Sequence, residues 1–121
     1  ERSERKKIKT ERSKRILLSA MKQSLRYYLP KINEAIPLSS LLNSTTESSK
    51  YIAHCIESKK EQLKEIKLSK NILILIGPEG DFTQKEINLA IKNKFKAISL
   101  GSSRLRTETA GVIATHTINI R

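Results

Sequence analysis

Two short stretches carry the residue types from which a binding site can be built. Gly77-Pro78-Glu79-Gly80-Asp81-Phe82 sets two glycines and a proline around two carboxylates. Glycine lets backbone amides approach a ligand closely, and proline keeps such a loop in one shape. The pattern differs from the phosphate-binding loops: neither G-x-G-x-x-G nor the Gly-Lys-Ser/Thr ending of a P-loop is present. Adjacent carboxylates also repel phosphate, so the expected ligand is neutral or cationic. The second stretch, Leu100-Gly101-Ser102-Ser103-Arg104-Leu105-Arg106-Thr107-Glu108-Thr109-Ala110, follows a glycine with two arginines and then hydroxyls suited to a helix start. An arginine beside such a loop can hold an RNA phosphate or stabilise an ionised base. Taken singly, each loop is equally well an ordinary connection. The first is then a strand-to-helix turn, and the second a helix start with Thr107 or Thr109 as N-cap and Glu108 near the positive end of the helix dipole.

The elements around these loops read as alternating strands and helices. Ile72 to Ile76 is an unbroken apolar run ended by Gly77 and Pro78, the pattern of a central strand covered on both faces of a parallel sheet. Thr83-Gln84-Lys85-Glu86 is a capping box, with Phe82 and Ile87 placed to close a hydrophobic staple. Ile87, Ala90 and Ile91 give the following helix its inward face, and Ala97 to Leu100 returns as a strand, completing a βαβ unit with an expected right-handed crossover. Thr109 to Ile120 forms the last helix, with Ala110, Ile113, Ala114 and Thr117 on one side. Upstream, Ile16, Leu17, Ala20, Met21, Leu25 and Tyr28 share one face of a helix over about Lys9 to Leu29, which Pro30 should stop. Between them lie an apolar turn from Pro37 to Leu42, a Ser/Thr-rich loop from Asn43 to Lys50, a short buried strand from Tyr51 to Ile56, and a charged connection from Ser58 to Lys67 with Leu63 and Ile66 inward. The expected fold is α/β, a mostly parallel sheet flanked by helices, whose ligands sit beyond the carboxyl ends of the strands. The two loops above occupy that edge.

Composition narrows the function classes. The 121 residues suffice for one domain with a modest core. With 37% hydrophobic and 30% charged residues, the chain is too apolar for disorder and too charged for a membrane protein. No apolar stretch approaches the length of a membrane span, and residues 1–14 lack the core of a signal peptide. Cys55 is the single cysteine, with His54 beside it and His116 distant. It is expected to be a small buried hydrophobe in a reducing compartment, with no metal site. Of the net charge of +12, residues 1–31 hold +8, from eleven Lys or Arg against three Glu. Such a basic arm is the usual footprint of a polyanion such as RNA.

Together these motifs carry a resemblance. A basic helix over Arg15 to Gln23 is followed by Ile76-Gly77-Pro78-Glu79-Gly80, Glu86, Leu100-Gly101 and Leu105-Arg106-Thr107-Glu108-Thr109-Ala110. In this order they closely resemble the RsmE family of the SPOUT superfamily, over nearly the whole chain. Members methylate N3 of a uridine in small-subunit (16S) ribosomal RNA with S-adenosyl-L-methionine. The resemblance implies a trefoil-knotted α/β fold, a cytoplasmic homodimer joined across the helix from Thr109, and no membrane or metal partner. It implies a cofactor pocket lined by Ile76, Gly77, Pro78, Glu79, Gly80, Leu100, Gly101 and Leu105. Arg106 then faces the reaction, and the expected proton acceptor is a nearby carboxylate, with Glu108 and Glu79 the candidates, or solvent. Three departures stand out. Asp81 occupies a usual glycine position, Arg104 a usual aliphatic one, and the family's N-terminal PUA-like RNA-binding domain and first catalytic strand and helix precede the residues matching Glu1, so the chain reads as truncated. The competing readings are a related methyltransferase acting on transfer RNA or a ribose 2'-hydroxyl, and a catalytically silent RNA-binding module.

Overall fold

The computed structural model describes Glu1, Arg2 and residues 9–120. Part of the basic arm, residues 3–8, lies outside the described residues. The chain divides into two compact units, one of residues 5–37 and the other of residues 1–4 and 38–121.

The smaller unit is built on helix α1, Thr10–Gln23. The helix stops seven residues before Pro30, and the reason is local. The Arg26 amide donates to the Met21 carbonyl and the Leu25 amide to the Lys22 carbonyl, while Leu25 takes a left-handed backbone with φ 55°. This is a Schellman turn with leucine where glycine is usual. No residue of α1 is buried, and Leu25, Tyr27 and Tyr28 beyond it are exposed.

In the larger unit, helix α2 (Leu38–Ser44) precedes strands β1 (Ser49–Ala53) and β2 (Glu61–Gln62). A 3-10 turn over Leu63–Glu65 leads to β3 (Ile72–Ile76), α3 (Gln84–Lys92), β4 (Lys96–Ser99) and α4 (Thr107–Asn119). The four strands of the described residues form one wholly parallel sheet in the order β2-β4-β1-β3. The expected α/β class holds, but β3 lies at the sheet's edge and β1 in its interior. The apolar run of β3 reflects cover on two faces, which says nothing of how many strands pair beside it. Likewise β3 and β4 are not neighbours, because β1 is inserted between them and pairs Tyr51 with both Ile74 and Lys96.

Alternation of side chains across the strands builds two cores. On one face Ile52 and Leu75 pack with Leu42 of α2, with Phe82, and with Ile87, Ala90 and Phe95 of α3 and its end. On the other, Tyr51 and Ile98 pack with Leu63, Ile66 and Ala114, and Ile72, Ile74 and Ile76 lean on the same cluster. The capping box of α3 forms as the sequence predicts: the Thr83 hydroxyl accepts from the Glu86 amide at 3.1 Å, and the Glu86 carboxylate accepts from the Thr83 amide at 2.8 Å. Phe82 and Ile87, the expected staple pair, share one buried cluster. The expected turn from Pro37 to Leu42 is helical from Leu38 onward, and the Ser58 to Lys67 connection holds β2 and the 3-10 turn with Leu63 and Ile66 inward as expected. No helix among the described residues is long and apolar enough to cross a membrane.

Candidate functional site

Because all four strands are parallel, β1, β3 and β4 end on one edge, and the connections that leave them converge there. That edge carries a pocket of about 820 Å³, within the usual size of small-molecule sites. Its walls come from three segments: Ala53, His54 and Cys55 at and just past the end of β1, Ile76 to Glu79 with Asp81 at and past the end of β3, and Ile98 to Glu108 from the end of β4 onward. Lys60, just before β2, and Ala110 of α4 complete the lining.

Of the sequence-predicted site residues, Ile76, Gly77, Pro78, Glu79, Leu100, Gly101, Leu105, Arg106 and Glu108 all line this pocket. Gly80 does not. Its carbonyl accepts a hydrogen bond from the Arg2 guanidinium at 3.1 Å, and a β-carbon there would lie 2.9 Å from the Arg2 side chain. The structure also brings in Ala53, His54, Cys55 and Lys60, which belong to no motif. A polar residue set directly after a buried strand, as His54 is after Ile52 and Ala53, was the signal available for His54.

Hydrogen bonds tie the three segments to one another. Asp81 adopts a left-handed backbone, φ 63°, tolerated well by aspartate, and is 9% exposed. Its carboxylate accepts the Cys55 amide at 2.8 Å, joining the segment after β3 to that after β1. Thr107 is not the N-cap of α4. Arg106 holds that position without a side-chain bond to the helix among the described residues, and the Thr107 hydroxyl instead donates to the Gly77 carbonyl at 2.9 Å. That bond joins the segment after β4 to that after β3. Gly77 is required for close approach, since a β-carbon would sit 3.1 Å from the Asp81 carboxylate and 3.1 Å from the Phe82 ring. Gly101 is required for its backbone, φ +146°.

Charge around the pocket is balanced, with Lys60, Arg104 and Arg106 against Glu79, Asp81 and Glu108. Arg104, Arg106, Glu79 and Glu108 are exposed at the rim, whereas Lys60 is half-buried and donates to the His54 carbonyl at 2.6 Å. His54 is buried, 8% exposed. Burial first and the Lys60 charge second hold its imidazole below the ordinary histidine pKa, against the opposing pull of Asp81 and the Ile56 backbone, so the ring is neutral at pH 7. Cys55 is exposed, contrary to its expected burial. It follows the end of β1, where the chain has left the sheet, and only its amide is engaged inward.

Known proteins share this architecture. A crystal structure of a probable rRNA methyltransferase from Porphyromonas gingivalis superposes with a TM-score of 0.90 at 42% identity, over 99% of this chain and 52% of that one. A ribosomal RNA small subunit methyltransferase E from Neisseria gonorrhoeae, bound to S-adenosyl methionine, matches with a TM-score of 0.77 at 31% identity, over 91% of this chain and 46% of that one. The ribosomal RNA small subunit methyltransferase E of Aquifex aeolicus is 36% identical over 86% of this chain and 44% of that protein. The chain thus spans about half the length of the proteins it matches. Residues 1–119 match the family model of the RNA methyltransferase domain, and the chain belongs to that family.

Proposed function

We propose that the pocket binds S-adenosyl-L-methionine and that the protein methylates N3 of a uridine in 16S ribosomal RNA of the small subunit. The observation that carries this reading is the convergence of both signature loops on one pocket at the carboxyl ends of parallel strands. The chemistry of the lining fits the cofactor. Backbone groups of Ile76 to Glu79, Leu100, Gly101 and Leu105 offer donors and acceptors for an adenine, while Ile76, Leu100 and Leu105 offer apolar surface. The balanced charge accepts a ligand that bears a sulfonium, an ammonium and a carboxylate. Bound there, the cofactor would supply an electrophilic methyl group.

The protein's part is alignment and charge. Uridine N3 must surrender its proton before its electron pair can accept a methyl group. Arg106, exposed at the rim, would face the negative charge that develops on the uracil. Glu79 or Glu108, both lining the pocket, or solvent would take the proton. The basic residues of 1–31 would hold the RNA backbone. A second copy of the chain would cover the exposed Val112 of α4 and Ile120 just beyond it in a homodimer, and a cytoplasmic location suits a ribosomal substrate.

Calorimetric titration of S-adenosylmethionine into the chain is the direct test, with saturable one-site binding expected and absence of heat overturning the cofactor reading. Arg106→Ala should leave that binding unchanged and slow labelled-methyl transfer to small-subunit RNA by about a hundredfold or more. Full turnover by that variant would remove Arg106 from the chemistry.

A further inference from the structure

The aromatic residues of the protein fall into two groups. Tyr51, Phe82 and Phe95 are buried in the two cores of the larger unit. Tyr27 and Tyr28, consecutive in the smaller unit, are 93% and 88% exposed, and Leu25 and Leu29 on either side of them are exposed as well. Scattered apolar residues on a surface need no explanation, but two leucines and two aromatic rings within one short segment do.

The setting of the pair is cationic. Residues 22–31 hold Lys22, Arg26 and Lys31 and no carboxylate, and none of the three is in an ion pair among the described residues. The faces of both rings are open to a partner, since the one cation–ring contact among the described residues is that of Lys50 over Phe95, at 5.2 Å. The segment is also fixed at its two ends. The Ser24 hydroxyl donates to the Ala20 carbonyl at 2.7 Å, and the left-handed Leu25 sets the direction in which the chain leaves the helix. Pro30 restricts the backbone beyond. Less conformational entropy is then lost when a partner settles on the rings.

Charge and the reaction together specify the occupant. Three unpaired cations attract a polyanion and oppose a basic partner. N3 of uridine lies on the edge that pairs with adenine, so a uridine methylated there has to be unpaired. Unpaired bases present their faces, and proteins hold such strands by stacking aromatic side chains on the bases while cations follow the phosphates.

We infer that Tyr27 and Tyr28 stack on unpaired bases of the RNA substrate, with Lys22, Arg26 and Lys31 on its phosphates. This rests on the RNA reading above and adds to it a contact with bases, where the charge of the arm alone would touch only the backbone.

The chain has no tryptophan, so tyrosine emission reports the stack directly. Titration with an oligouridine of about ten nucleotides should quench it, whereas an abasic oligomer of equal length should bind with little quenching. Changing both residues together, Tyr27→Ala with Tyr28→Ala, should leave the urea midpoint unchanged, because neither ring is buried. That variant should bind oligouridine at least about tenfold more weakly. The salt dependence of binding should keep its slope, since no charge is lost, and affinity for duplex RNA of the same length should stay within about twofold. Tyr27→Phe with Tyr28→Phe keeps both faces and should bind like the unsubstituted chain. Tyr27→Leu with Tyr28→Leu keeps apolar area without a π face and should bind as weakly as the alanine pair. Full oligouridine affinity in the alanine or leucine pair, or an equal loss on duplex RNA, would overturn this inference and leave the RNA reading standing. A lower sedimentation mass in the alanine pair with RNA binding unchanged would give the patch to a second copy of the chain, and would overturn it too. No binding of either RNA by the unsubstituted chain would overturn both readings.

Discussion

The two signature loops meet at one pocket but are built in opposite ways. The segment after β3 is fastened: Gly77 and Asp81 are buried, the Asp81 amide donates to the Pro78 carbonyl at 2.9 Å, and bonds run from it to Cys55 on one side and Thr107 on the other. The segment after β4 is open. Gly101, Ser102, Ser103, Arg104 and Arg106 are exposed, and nothing among the described residues lies within 4 Å of where a Gly101 β-carbon would stand. The difference teaches a division of labour. One wall fixes the pocket's shape through its backbone, and the other presents side chains to whatever approaches from solvent.

Substitutions sharpen this contrast when ranked by their cost to the fold. The largest effect is expected at Gly77. Gly77→Val drives a branched side chain into the Asp81 carboxylate and the buried Phe82 ring, and overpacking of this kind costs about 2 kcal/mol. Urea unfolding should show that loss, and calorimetry should show cofactor binding failing with it. Thr107→Val comes next, deleting the hydroxyl bond to the Gly77 carbonyl while nearly keeping volume. A loss of about 1 kcal/mol is expected in the same unfolding assay. Smallest is Arg104→Ala in the open wall, where the change in stability should stay within about 0.5 kcal/mol. Weaker association with RNA, and a shallower dependence of that association on salt, would assign Arg104 to the solvent-facing role. Equal stability losses at Gly77 and Arg104 would erase the distinction between the walls.

The same contrast explains what the sequence made legible. The Gly77 loop, the capping box at Thr83 and Glu86, and the inward Leu63 and Ile66 were readable because each obeys a local rule of spacing or turn chemistry. The edge position of β3 was not, since an apolar run records the cover on a strand's faces and leaves its lateral neighbours unspecified. The end of α1 was missed because Leu25 occupies a left-handed position that ordinarily announces itself with glycine. Thr107 read as a cap and turned out to bridge two loops, a choice made by tertiary contact that no neighbour in the sequence encodes. His54 and Lys60 entered the site through the sheet order, which places the end of β1 between loops that lie more than twenty residues away along the chain.

That sheet order also sets the course of folding. There is no hairpin among the described strands. Tyr51 waits for Ile74, 23 residues on, and for Lys96, 45 residues on, while Glu61 waits for Ile98, 37 residues on. Each pairing must first meet the entropy of closing a long loop, which slows the search without weakening the product. Helix α3, with its own cap, can form early, but β1 gains its second neighbour only after β4 has crossed to the side of β1 away from β3. The pocket at the strand ends is therefore among the last features to assemble, and a chain halted before Leu100 would carry the fastened wall with nothing opposite it.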